Sequence, residues 1–214
     1  MEKLLTPDNA LIFRIVHVDN LPWVLDNGLH CRNCERQDPG FVSIGHEELI
    51  RRRDDTRVPV EPGGVLSDYI PFYFTPLSPM LLNIITGRND VRPRPKRELV
   101  VLVSSIHRLH ERSVPFVFTN QHAVLTTTSF HNRIEDLTFV DWPLLQSRNF
   151  RSDDSDAGRL QRYMAEALVH QHVSMADLLG IACCDETTTQ NIQSQLLRRE
   201  LELPVKSRPD WFFP

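Results

Sequence analysis

Glu166 lies in the run Ala165-Glu166-Ala167-Leu168-Val169, an ionisable side chain among small and apolar neighbours, where a charge is costly unless something pairs with it. Alternation along a strand would turn this carboxylate to solvent. Placed in a cleft instead, it would hold a sugar hydroxyl or steady an oxocarbenium-like centre, as carboxylates do in glycosyl transfer. No second carboxylate of this kind stands out, which argues against a paired-carboxylate glycosidase. Arg53 closes the triplet Arg51-Arg52-Arg53, and its guanidinium fork suits phosphates or a polarised base edge; a solvated helix end is the plainer alternative. His122 follows an apolar strand and the polar Thr119-Asn120-Gln121, so it stands at a strand end, as a functional group or as a cap. Tyr73 is suited to stacking on an aromatic ring and Met80 to packing against one.

Tyr73 and Met80 belong to an unusual block. Residues 63 to 80, Gly-Gly-Val-Leu-Ser-Asp-Tyr-Ile-Pro-Phe-Tyr-Phe-Thr-Pro-Leu-Ser-Pro-Met, mix aromatics with Pro71, Pro76 and Pro79. Each proline removes a backbone N–H, so the block must follow a sheet edge or a shaped loop. Tyr69, Phe72, Tyr73 and Phe74 then line a flat cleft, or else form the core side of an ordinary edge strand.

Other chemistries are poorly supported. Cys31 and Cys34 give half of a zinc spacing, but Cys183 and Cys184 are adjacent in an apolar run and alternation points them to opposite faces; free thiols in a reducing compartment are the expectation. His170-Gln171-His172 would place two imidazoles on one strand face, as metal ligands or as surface polarity. There is no glycine-rich phosphate motif, Gly-x-Ser-x-Gly elbow or His-Glu-x-x-His helix. A net charge of −4 supplies no global field for nucleic acid, so any such binding must come from local clusters. These are Arg51 to Arg53 with Arg57, and the stretch from Arg88 to Arg97, which Pro93 and Pro95 break into what reads mainly as a solvated loop.

The elements that must position these groups are irregularly mixed. At 214 residues and 41% hydrophobic, the chain suits one domain over 1–214. No window is apolar enough to span a membrane, and Met1 to Asp8 lacks the apolar core of a signal peptide, so a cytoplasmic location is expected. Residues 10 to 18 read as a first strand, and Asp19 or Asn20 caps a short helix that Asn27-Gly28 ends. Residues 30 to 64 predict a long loop with one short helix around Glu47 to Arg53, the length of a binding element or lid. Strands are predicted at 69–74, 98–104, 115–118, 162–169, 179–184 and 203–206, with Trp211 to Phe213 as a last short one. Helices are predicted at 78–86, 105–112, 175–179 and 186–200, and residues 143 to 160 form an exposed acidic connection. The fold class is mixed α/β with a partly antiparallel sheet.

Taken in order, five features resemble the DarT family, DNA ADP-ribosyltransferases of bacterial toxin–antitoxin systems, from about Leu11 to Phe213. They are Phe13 to Leu21 with His17, Asp19 and Asn20; Arg52-Arg53 upstream of Val58-Pro59; the block 63 to 80; Pro115-Phe116-Val117-Phe118-Thr119 with His122; and Ala165 to Val169. The resemblance implies the split sheet of ADP-ribosyltransferases, with NAD as co-substrate in a cleft between the halves and no metal. It implies Glu166 and Arg53 as the essential pair with His122 beside them. Cofactor contacts would come from Arg14, Ile15 and Val16 largely through backbone, and from His17, Asn20, Tyr73 and Arg53. DNA contacts would come from Arg52, Met80, His122 and Arg148. The loop from about Arg36 to Arg53 would fold over NAD, and His122 to Glu166 would present the target nucleotide. Many relatives have histidine where this chain has Arg14. The implied reaction is transfer of ADP-ribose to thymine in single-stranded DNA, by a monomer countered by a macrodomain antitoxin of the DarG type. Guanine in DNA, RNA or protein as the target, simple NAD hydrolysis, and a non-catalytic single-stranded nucleic-acid-binding module are the alternatives.

Overall fold

A computed structural model describes residues 5–151 and 153–214. Residues 1–4, on which part of the leader reading rests, and residue 152 of the acidic connection lie outside them. An eight-stranded sheet has the order β10-β9-β4-β1-β3-β7-β5-β6. Strand β1 (Leu11–His17) pairs along all seven residues with β4 (Leu99–Ser105), whose Leu-Val-Val-Leu-Val run is buried on both faces. On β4 lies β9 (Gly180–Cys183), and β10 (Val205–Ser207) pairs parallel to β9, every other pairing being antiparallel. The second half runs from β3 (Tyr69–Tyr73) through β7 (Glu166–His170) to β5 (Phe116–Thr119) and β6 (Phe130–His131).

The two halves meet at one residue pair, Phe13 opposite Tyr73. Beyond it β1 and β3 part, and Pro71 gives the reason. Its carbonyl faces β1, where it accepts from Arg14 Nη1 at 2.8 Å, and its nitrogen has no hydrogen to offer that side. A proline in mid-sheet therefore sits on an internal edge. This corrects the expectation of an outer edge or loop, because β3 is fifth in the strand order. Phe72 and Phe74 are core residues, with Phe74 edge-on to Phe118 and Trp142, so only Tyr69 and Tyr73 of the four aromatics face the cleft.

Helix α1 (Leu21–Asn27) follows a 3-10 turn at Val18–Asn20, and a small sheet joins β2 (Leu29–His30) to β8 (His172–Val173). The predicted lid contains α2 (Glu47–Asp55), which His46 caps through its side chain and which buries no residue. Helix α3 (Pro79–Thr86) starts from a Ser78 cap with proline in its first turn, and α4 (Ile106–Glu111) from a Ser105 cap. The acidic connection includes α5 (Trp142–Ser147). The strand predicted from residue 162 begins only at Glu166, because residues 159–163 form helix α6 (Arg159–Tyr163). The helix predicted at 175–179 is a 3-10 turn, Met175–Asp177, and α7 (Glu186–Leu197) ends earlier than expected. Trp211 to Phe213 is no strand: Pro209 opens a 3-10 turn that packs Trp211 edge-on against Phe13 at 5.1 Å.

The cysteine expectation is also corrected. Cys31 and Cys34 form a disulfide, because the turn after β2 brings their Cα atoms to 5.4 Å, inside the bridging range. Cys183 and Cys184 are free. His170 and His172 do not share a strand face, since Gln171 between them takes φ +59° and the chain moves from β7 to β8; His170 meets Tyr69 and His172 meets His30.

Candidate active site

The residues singled out for chemistry converge where the sheet parts. Tyr73 stands opposite Glu166 in the β3–β7 ladder and opposite Phe13 across the split, so β1, β3 and β7 bring Arg14, Tyr73 and Glu166 to one place. Glu166 is 2% exposed. Its Oε2 accepts from Arg53 Nη1 at 2.8 Å, and its Oε1 accepts from the Ala123 backbone N–H at 3.0 Å with His122 Nδ1 at 3.8 Å. Burial pushes the Glu166 pKa up, but Arg53, then His122 and the Ala123 N–H, outweigh it and hold the carboxyl below its ordinary value. The solvent-facing reading of Glu166 is thereby set aside.

Local structure fixes this carboxylate. The Thr119 hydroxyl at the end of β5 accepts from Glu166 N–H at 3.0 Å and donates to Gln121 O at 2.6 Å, and His122 N–H bonds Gln161 O at 2.9 Å. The turn that delivers the Ala123 N–H is thus tied to the backbone of Glu166 itself. Thr119 appeared in the sequence motif without a role; a buried hydroxyl at a strand end was the available signal.

Charge in the cleft is unbalanced. Burial raises the Tyr73 pKa, reinforced by Glu166, so its hydroxyl stays neutral. Burial lowers the His122 pKa, with Glu166 opposing and Arg53 and Arg52 reinforcing. His122 Nδ1 accepts from Val124 N–H at 3.4 Å, which leaves the ring proton on Nε2. Arg14 is pushed down to about 10 by burial and by Arg53, with Tyr73 opposing. Two guanidiniums therefore lie close enough to repel one another, and only that of Arg53 is paired with the carboxylate. Arg14 Nε and Arg53 Nη2 are also buried donors with no hydrogen-bond partner among the described residues, a costly arrangement that an acceptor on a ligand would relieve.

These groups line a cavity of about 380 Å³, together with Ile15, Val16, His17, Asn20 and Met80. The His17 ring is committed elsewhere, to Asp19 N–H at 3.2 Å and near Glu98 at 3.3 Å, which leaves backbone as its contribution. Asn20, 1% exposed, grips the lid by both ends of its amide: Nδ2 donates to Val42 O at 2.9 Å and Oδ1 accepts from Val42 N–H at 2.8 Å. Gln37, Phe41, Ile44 and His46 of the lid form the cover.

A second groove of about 980 Å³ shares His46, Leu49 and Met80 with this cavity and continues past Arg52, Arg88, Arg148 and Arg151. Arg148 takes φ +55° at the end of α5, which turns the chain toward the groove wall. Arg52, Met80 and Arg148 are thus brought together, whereas His122 lines the inner cavity. Of the stretch 88 to 97, Arg88 joins the groove and Arg94 approaches Glu98 at 3.7 Å, so it is not wholly a solvated loop. Among the described residues, no group of three or more histidine, cysteine or acidic side chains is placed to hold a metal.

A sheet that splits over such a Glu–Arg pair is what the resemblance to ADP-ribosyltransferases implies, and known proteins of that class match the chain in sequence and fold. The family model described as ssDNA thymidine ADP-ribosyltransferase, DarT, matches residues 13–213. A DNA ADP-ribosyl transferase of Escherichia coli O127:H6 (strain E2348/69 / EPEC) is 46% identical over 209 residues, 98% of this chain and 96% of that one. The DarT of Thermus sp. 2.9 in complex with ADP-ribosylated ssDNA superposes with a TM-score of 0.88 at 31% identity, covering 97% of this chain and 98% of that one. In complex with NAD+ the TM-score is 0.83, covering 95% and 98%. A DNA ADP-ribosyl transferase-DNA ADP-ribosyl glycohydrolase fusion protein of Thermosipho africanus is 21% identical over 203 residues, 94% of this chain and 49% of the fusion. The chain belongs to the DarT family of NAD-dependent DNA ADP-ribosyltransferases.

Proposed function

We propose that this chain transfers ADP-ribose from NAD to thymine in single-stranded DNA, with Glu166 as base and Arg53 as the electrostatic partner. The observation that carries it is the buried Glu166–Arg53 pair at the sheet split, facing the lidded cavity, which meets the arginine-lined groove at His46, Leu49 and Met80. NAD occupies the cavity. A single strand follows the groove, where Arg52 and Arg148 meet phosphates and one unstacked base passes Met80 toward Glu166.

In thymine joined to deoxyribose, N3 is the one ring nitrogen that still bears a hydrogen. The C1–nitrogen bond to nicotinamide breaks with its electron pair leaving on nicotinamide, N3 forms the new bond to C1, and the N3 proton passes to Glu166. A carboxylate held low in pKa is a weak base. Abstraction becomes feasible because Arg53, paired with Glu166, and Arg14, near Arg53, stabilise the negative charge that develops on the base or its carbonyl oxygens. His122, neutral with its proton on Nε2, supplies a further donor at the same edge.

With NAD and DNA as joint substrates, the protein works in the cytoplasm, as a monomer. Unchecked modification of a pairing edge is toxic, which fits a toxin restrained by a macrodomain antitoxin that removes ADP-ribose. The test is intact-mass analysis of a thymine-containing oligonucleotide after incubation with NAD, beside homopolymers of the other bases. One ADP-ribose per thymine oligonucleotide, absent with Glu166→Gln, is expected. Modification by the variant, or preference for another base, overturns the assignment.

A further inference from the structure

We propose that the turn Cys31-Arg32-Asn33-Cys34 positions Arg53, and that thiol–disulfide exchange at Cys34 thereby controls transfer; this rests on the reading of Arg53 given above. Helix α2 carries Arg53 yet buries no side chain, so apolar packing does not fix it. What holds it is polar. Asp54, the residue after Arg53, accepts from the hydroxyl of Ser67, a side chain that is itself 2% exposed, and meets Arg32 Nε at 3.2 Å. Asn33 N–H bonds Ser67 O at 3.2 Å and its amide bonds Asp68 at 2.7 Å. Of the two residues between the cysteines, Arg32 is therefore joined directly to α2 and Asn33 to the Leu66–Asp68 turn against which α2 packs.

The Arg32–Asp54 pair alone is half-exposed and weak. Its effect comes from the rigid turn behind it, closed by the disulfide and by Gln37 Nε2, which donates to Cys31 O at 2.8 Å and Cys34 O at 2.7 Å. Cys31 also lines the NAD cavity. Both redox states have a place in this geometry. Cys34 Sγ lies 3.2 Å from Gln171 O, a contact that a thiol, unlike a disulfide, satisfies by donating. Cys31 is buried and Cys34 half-buried, so an incoming thiolate reaches Cys34. That attack breaks the S–S bond and releases Cys31 as a thiolate, which takes up a proton. The second thiol of a dithiol reductant then displaces Cys34, so the pair gains two electrons and two protons while the reductant becomes a disulfide. In a compartment kept reducing, a disulfide of this kind is transient and regulatory rather than structural.

The experiment compares the full chain, with Cys183 and Cys184 replaced by serine, after treatment with oxidised glutathione or dithiothreitol. Mass after maleimide labelling reports the thiol state. Reduction is expected to lower kcat for transfer by at least about fivefold, the low end of ordinary coupling between sites. Asp54→Asn is expected to be slow in both states and insensitive to redox, and Arg32→Lys to retain part of the response. Equal kcat in the two states, an intact redox response in Asp54→Asn, or failure of the disulfide to form overturns the proposal. If neither state transfers ADP-ribose, the assigned reaction is what fails. The NAD dissociation constant, followed by fluorescence of Trp23 in the cavity, then decides the switch: a difference between states supports it and equality refutes it.

Discussion

Replacing Arg53 by methionine should invert the pH dependence of folding. In the wild type the Glu166 carboxyl is held below its unfolded value. The pair therefore contributes stability above that value and loses it as pH falls through the folded pKa. Arg53 is the first of the groups that oppose burial, and the side chains of the pair are 13% and 3% exposed. Two charges about 4 Å apart attract by about 4 kcal/mol at an effective dielectric of about 20, and removing one partner of a buried pair costs about 3–5 kcal/mol. Without Arg53, burial prevails and the Glu166 pKa rises above its unfolded value. Stability of the variant is then highest below the unfolded pKa and declines as pH rises through the folded one. Urea unfolding between acid and neutral pH, with Glu166→Gln and the double variant completing a cycle, measures this. At neutral pH, Arg53→Met should lose about 3–5 kcal/mol, and Arg53→Met/Glu166→Gln should recover most of it because no buried charge remains. A loss below about 1 kcal/mol, or one that does not change with pH, would refute a buried ion pair as the organising contact.

Thr119→Val should remove the hydroxyl between Glu166 N–H and Gln121 O, slowing transfer by roughly tenfold for about 1.4 kcal/mol while leaving the KM for NAD unchanged; steady-state kinetics beside Thr119→Ser, which should be near normal, checks it. Asn20→Ala should free Val42 and the lid, raising the KM for NAD at least about fivefold with little effect on oligonucleotide binding by fluorescence anisotropy. Arg148→Ala with Arg52→Ala should weaken oligonucleotide binding and reduce its logarithmic salt slope by about 1.4, roughly 0.7 per phosphate contact, with NAD affinity unchanged in a calorimetric titration.

Periodicity and composition locate strands well where burial is one-sided or complete, as in β1 and β4, whose β-branched runs admit no other reading. They fail where a single side chain decides an end. Tyr163 to Ala165 is apolar enough for strand, but α6 closes there and Glu166 N–H goes to the Thr119 hydroxyl, a bond between residues 47 apart. The two-residue strands β2, β6 and β8 carry too few residues for any pattern. The Cys31–Cys34 bridge could not be read from spacing that equally suits a metal or free thiols; the turn geometry decides it.

Pro71 shows how the legible and illegible parts of the site are related. Its missing donor was plain in the sequence and excluded an ordinary central strand, yet the sequence could not say that the strand would lie centrally in a sheet that opens. Once β3 is placed between β1 and β7, the lost N–H becomes the reason for the cleft, because the ladder to β1 cannot continue past Phe13 and Tyr73. Arg14 then spans the gap to the Pro71 carbonyl, while its Nε and the Nη2 of Arg53 stay buried with no hydrogen-bond partner among the described residues. The same break that opens the cavity thus gathers buried donors and surplus positive charge, which the proposed transfer would use.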